Sequence, residues 1–235
     1  MEGLLEFAKG PLFRFSFAIM MLGLIRVVVL AIISGIEAKS KAKHKSIPQK
    51  FVNKMTIGFV FPIRAFRVKP IYSLISIIFH IGLLITPIFL FDHSLLFDNS
   101  VGISLLGISL SKETADFLTI MTIVFGVFLL IGRVSHKPSR FLSRKQDYLW
   151  PLLLLIPFVT GFICANSTIN PATYNAFMLI HILSGCLIFI LIPFTKIAHC
   201  VLLPLSQWIS ARAWKFPAEA GENITLTLGK QNEKI

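Results

Sequence analysis

Four histidines stand within or at the ends of long apolar stretches: His80 and His93 in FHIGLLITPIFLFDH, and His181 and His199 in HILSGCLIFILIPFTKIAH. Two more, His44 and His136, lie in basic polar segments, where a solvated side chain is the plain reading. An imidazole in an apolar span can carry a proton, bond to a neighbouring helix, or offer a nitrogen lone pair to a metal. His181 and His199 are eighteen residues apart. At about 100° per residue this is five turns, so one unbroken helix would place both rings on the same face, about 27 Å apart along its axis. His80 and His93 are thirteen residues apart. On an ideal helix their rings would diverge by about 140°, and Pro87 between them is the feature that would redirect one of them.

The elements that must position these residues are apolar helices. Of the 235 residues, 55% are hydrophobic and only 14% charged. The long apolar runs are Phe15–Gly35, Ile71–Phe91, Phe117–Ile131, Leu149–Ala165 and Tyr174–Leu203. Most approach or exceed the roughly 20 residues that a membrane-spanning helix needs, and none alternates as a strand would. The expectation is an all-α integral membrane protein, a five-transmembrane-helix bundle over residues 1–209 with a polar tail at 210–235.

The net charge of +12 is distributed unevenly. Nine Lys or Arg lie in Lys39–Lys69 and five in Arg133–Lys145, with Arg212, Lys215, Lys230 and Lys234 in the tail. The opposite side carries Lys9 and Lys112 beside Glu2, Glu6, Asp92, Asp98, Glu113 and Asp116. By the positive-inside rule the N-terminus is outside and the C-terminus cytoplasmic, as in a multi-pass protein of the cytoplasmic (inner) membrane. The same asymmetry argues against nucleic acid as a partner. The acidic start, with no small-residue cleavage site, predicts that the first helix is kept as an anchor. Cys164, Cys186 and Cys200 form no CxxC or CxxCH, so zinc, iron–sulfur and covalent c-type haem lose support, and no nucleotide-binding motif is present.

The second and fifth spans would run antiparallel, matching His80 with His199 and His93 with His181. Two imidazoles from facing helices are what the iron of a b-type haem requires on its axial positions. Two haems b at different depths would form an electron path. Arg26, deep in the first helix, and Arg14, nearer the outer face, are candidates to pair with haem propionates, as is Lys196, although snorkelling suffices for Arg14 and interface anchoring accounts equally for Lys196. Gly82 and Gly185 lie near His80 and His181, where a small residue admits either a macrocycle or a packed helix. Tyr148, Trp150, Trp208 and Trp214 read as an interfacial aromatic belt. The segment Ser94–Thr114 reads as an outer loop on the membrane surface, with Lys112 a candidate contact for a quinone.

The two histidine-bearing stretches resemble the gamma-subunit family of respiratory nitrate reductase, and more closely the b-type cytochrome subunits of the Hmc, Tmc and Dsr transmembrane redox complexes of sulfate reducers. The GPLF-type start, Arg26 in the first helix, the eighteen-residue spacing and the PFTK element at Pro193–Lys196 carry the resemblance. It implies two haems b held by histidines of the second and fifth helices, the inner pair His80 and His199 and the outer pair His93 and His181. It also implies exchange of electrons with a quinone pool, menaquinone included, or with a periplasmic multihaem cytochrome c. On the cytoplasmic side it implies an iron–sulfur subunit of the CCG or heterodisulfide-reductase type. The longer spacing in the second helix departs from nitrate reductase itself and weakens transfer of its quinol site. A histidine-based proton channel or transporter, and a haem-free membrane anchor, are the alternatives.

Overall fold

The computed structural model describes residues 1–41 and 63–203, together with positions 50, 53, 54, 57, 205, 206 and 226. The expectations for His44, Trp208, Trp214, most of the basic segment and all of the tail except Leu226 fall outside the described residues.

The described residues are helical in order: α1 (Glu2–Phe7), a π turn (Ala8–Leu12), α2 (Phe13–Lys41), α3 (Ile63–Val68), α4 (Pro70–Phe89), α5 (Phe91–Val101), a 3-10 turn (Leu106–Ile108), α6 (Lys112–Ser135), α7 (Lys137–Leu142), α8 (Gln146–Asn166) and α9 (Pro171–Leu191). Two further 3-10 turns follow, Ile192–Phe194 and Lys196–Ala198. Five stretches are long and apolar enough to cross a membrane: Glu2–Glu37, Pro70–Phe89, Lys112–Ser135, Gln146–Asn166 and Pro171–Phe194. The third and fourth exceed the apolar runs because their polar ends are also helical. Ser111 caps α6 by accepting the Thr114 N–H, and Glu113 sits in the first turn, where a carboxylate favours the helix N-terminus. Asn170 likewise caps α9 through the Thr173 N–H at 2.8 Å, with Pro171 opening the helix.

The second and fifth spans end earlier than the sequence suggests. α4 stops at Phe89, Leu90 is extended (φ −61°, ψ 132°), and His93 belongs to the separate helix α5. The Leu110 N–H caps the break by donating to the Phe89 carbonyl at 2.7 Å. The expected surface loop Ser94–Thr114 is therefore partly helical, with α5 ending at Gly102 in the left-handed region (φ 72°). α9 stops at Leu191, and Thr195 is extended (φ −129°, ψ −179°) before the Lys196–Ala198 turn. His199 thus does not share an unbroken helix with His181, and the five-turn construction fails. Pro193 is the physical reason, since it has no N–H to continue the helical ladder.

The chain divides into two compact units, Met1–Arg26 with Pro62–His199, and Val27–Phe61 with Cys200–Ile235. The first holds all four histidines of interest. Within it α4 packs on α6, α6 on α8, and α8 on α9. Small residues set these contacts, as expected where lipid provides no hydrophobic drive between helices. A Cβ on Gly82 would strike the Thr122 hydroxyl and come within 2.9 Å of the Leu118 carbonyl. One on Gly126 would lie 2.7 Å from Leu155 and 2.9 Å from Phe79. The Thr119, Thr122 and Thr160 hydroxyls donate back to carbonyls one turn earlier, so these polar groups are satisfied inside the apolar bundle.

Candidate functional site

The packing order α4–α6–α8–α9 keeps α4 and α9 from being close-packed neighbours. Across that separation the histidines meet in two pairs. The rings of His93 and His181 lie 5.8 Å apart, centre to centre, with 25° between their planes. Those of His80 and His199 lie 6.1 Å apart at 80°. In each pair one histidine belongs to a regular span (His181, His80), and its partner follows a helix break (His93, His199).

All four imidazoles donate Nδ1–H to a main-chain carbonyl. His80 uses Ser76 one turn back at 2.7 Å, and His199 uses Lys196 at 2.7 Å. His93 uses Pro87 at 3.0 Å, a carbonyl freed from the helical ladder by the break at Leu90. His181 reaches across to the Pro157 carbonyl of α8 at 2.8 Å. With Nδ1 holding the proton, Nε2 carries the lone pair, and among the described residues no Nε2 has a hydrogen-bond partner. Metal-binding histidines characteristically donate their other ring N–H to such an acceptor, which fixes tautomer and ring direction. Burial, with His181 beside it, pushes the His93 imidazole down to about 4 and so keeps it neutral at neutral pH.

Local sequence explains how the rings are held. Gly161 stands one turn after Pro157 on α8, and a Cβ there would lie 2.8 Å from His181 Cε1 and 2.9 Å from Nδ1. Only glycine lets the imidazole reach the Pro157 carbonyl. His93 is held through α5 by Phe97, whose ring centre lies 5.6 Å from Phe13 and 5.6 Å from Phe17 in edge-to-face contact. Phe189 of α9 joins the same cluster, 6.0 Å from Phe13. First span, α5 and α9 are thereby pinned together beside the His93–His181 pair. Phe79 presents its edge to His80 at 5.5 Å.

The supporting residues take the following places. Arg26 and Arg14 are exposed on the first span. Lys196 bonds to Asp147 Oδ1 at 2.6 Å. Lys112 donates to the Ala165 carbonyl at 3.3 Å, tying α6 to the end of α8. Gly82 serves helix packing, whereas a Cβ at Gly185 would meet open space. Sequence reasoning missed Gly161, Phe97 and Asp147. A proline followed four residues later by glycine, as in Pro157–Gly161, was the available signal for the first.

Each pair offers two imidazole nitrogens, the number of protein ligands that a b-type haem would take. Two imidazoles on opposite sides of one metal, each bound through nitrogen at about 2 Å, would have ring centres roughly 6 Å apart, close to the 5.8 and 6.1 Å of the two pairs. Among the described residues no group of three or more His, Cys, Asp or Glu stands together. Among the described residues three buried polar atoms have no partner: Thr86 Oγ1, Ser94 Oγ and Trp150 Nε1. Ser94, fully buried, directly follows His93.

A protein of Nitratidesulfovibrio vulgaris strain Hildenborough, named only "Protein", is 32% identical to this chain over 143 residues. The aligned stretch covers 61% of this chain and 61% of that protein. No family model matches the chain. No solved structure matches it either.

Proposed function

We propose that the chain is a dihaem b-type cytochrome, with His93 and His181 binding one haem and His80 and His199 the other. The observation that carries this reading is the uniform state of the four rings. Each is fixed by a carbonyl at Nδ1, each leaves Nε2 without a partner among the described residues, and they are grouped two by two at a spacing that two imidazoles on opposite sides of one metal would have. A proton relay favours imidazoles that can exchange protons at both nitrogens, which Nδ1 bonds to carbonyls oppose. Bound there, haem b would supply a one-electron carrier at each of two depths.

The residues of the chain do the rest. Helices α4 and α9 hold one ring of each pair rigidly, and the breaks at Leu90 and Thr195 aim the second. The placement of basic segments supports an N-terminus outside and a C-terminus in the cytoplasm, with the His93–His181 pair toward the outer face. On this reading the chain is the membrane subunit of a respiratory redox complex. It passes electrons between a quinone pool or periplasmic cytochrome c and a cytoplasmic iron–sulfur subunit, and it does not catalyse a substrate reaction alone. The support for those partners is the resemblance carried by the histidine stretches and the PFTK element. Lys112, exposed at the outer end of α6, is the candidate polar contact for a quinone.

The test is a reduced-minus-oxidised spectrum of the purified full chain with a pyridine haemochrome count. Two haems b are expected, one lost in His181→Ala, the other in His199→Ala, and both in the double variant. A chain that stays colourless when expressed with ample haem, or that keeps both haems after both substitutions, refutes the proposal.

A further inference from the structure

The Lys196–Ala198 turn that delivers His199 is held from three directions. Pro193, just before it, lies against the first span, where a Cβ on Gly23 would come within 2.5 Å of the proline ring. Thr195 accepts the Ile197 N–H in its side chain at 3.3 Å. Lys196 Nζ donates to Asp147 Oδ1 at 2.6 Å, across 49 residues of sequence. Asp147 is itself fixed, because its Oδ2 accepts the Arg144 N–H at 2.8 Å in the first turn of α8. Its side chain is 15% exposed against 53% for Lys196, so the carboxylate is the seated partner and the lysine is the one that is drawn in. Lys196 also provides the carbonyl that accepts the His199 Nδ1–H at 2.7 Å. One residue therefore carries both the tether and the acceptor.

We propose that Asp147 is a positioning residue for His199, acting through Lys196: the ion pair fixes the turn whose carbonyl sets the tautomer and direction of that imidazole. The inference rests on the reading of His80 and His199 as a haem pair. It gives the lysine of the PFTK element a protein partner in place of a propionate. An exposed ion pair contributes little to stability by itself, so its effect is expected in ligand geometry and not in folding. The Pro193 and Thr195 contacts keep the turn formed when the pair is broken, and His199 is then held less tightly and not expelled.

The experiment uses the full chain in detergent. Asp147→Ala, Lys196→Met and the exchanged double variant Asp147→Lys/Lys196→Asp are compared with the parent by pyridine haemochrome count, low-spin EPR signals and carbon monoxide binding to the reduced protein. Expected are two haems in every variant, with one low-spin signal shifted or broadened in both single variants while the other is unchanged. One haem gains carbon monoxide reactivity, since a loosened sixth ligand opens the iron, and the exchanged pair, in which position 147 loses its bond to the Arg144 N–H, reverses both effects in part. Two haems in the parent with single variants identical to it in all three measurements overturn the positioning role alone. A parent chain without haem overturns this inference together with the proposed function.

Discussion

Gly161→Ala is the most demanding test of the proposed site, because the added atom touches neither the proposed metal position nor a charge. The new methyl would stand 2.8 Å from His181 Cε1 and 2.9 Å from Nδ1. Carbon atoms in contact prefer about 3.5–4.0 Å, so the ring must retreat by roughly 1 Å or the two helices must part. A retreat of that size stretches the 2.8 Å bond to the Pro157 carbonyl beyond hydrogen-bonding range. Losing such an outer contact typically lowers metal affinity about 10- to 100-fold, equivalent to roughly 1.4–2.8 kcal/mol. Overpacking adds about 1–3 kcal/mol against the folded chain. The measurement is haem content and haem-transfer rate to an acceptor protein, with Gly132→Ala as the control, since a Cβ there meets nothing within 4 Å. The expected result is faster loss of one haem only, the one that also disappears in His181→Ala. Parent-like affinity and spectra in Gly161→Ala would show that the Pro157 bond does not set the ring.

Three further outcomes are expected. Phe97→Ala removes the aromatic contact between α5 and the first span, at a cost of about 1–3 kcal/mol for a half-buried ring, and on heating the His93–His181 haem should be released before its companion, followed by absorbance. Gly82→Ala should lower the thermal midpoint in detergent by several degrees through about 1–3 kcal/mol of overpacking against Thr122. Adding Thr122→Ala should recover only part of this, because the Leu118 carbonyl is main chain. Removal of residues 210–235 should leave two haems per chain while reducing co-purification of a cytoplasmic subunit, as measured by quantitative pull-down.

The five spans were legible because lipid imposes a length and a composition that few soluble segments meet. The partners of His80 and His93 were legible from direction alone, since antiparallel spans match inner residues with inner and outer with outer. The backbone course between them was not. The eighteen-residue interval between His181 and His199 imitates five whole turns, yet Pro193 and the extended Thr195 interrupt it. His93 similarly sits beyond the break at Leu90, which resolves the 140° mismatch that one straight helix would impose. The hydrogen bonds to Pro87 and Pro157 were hidden because they involve carbonyls, which every residue has. Hydropathy also says nothing about Asp147, whose role depends on a residue 49 positions away.

That every ring is oriented by a peptide oxygen bears on how this sequence can drift. Positions 76, 87 and 157 can exchange their side chains over generations without deleting a single acceptor, so they need leave no signature in descendants. Heredity must guard instead the places that shape the path of the chain, glycine at 161 and the interruptions at 90 and 195.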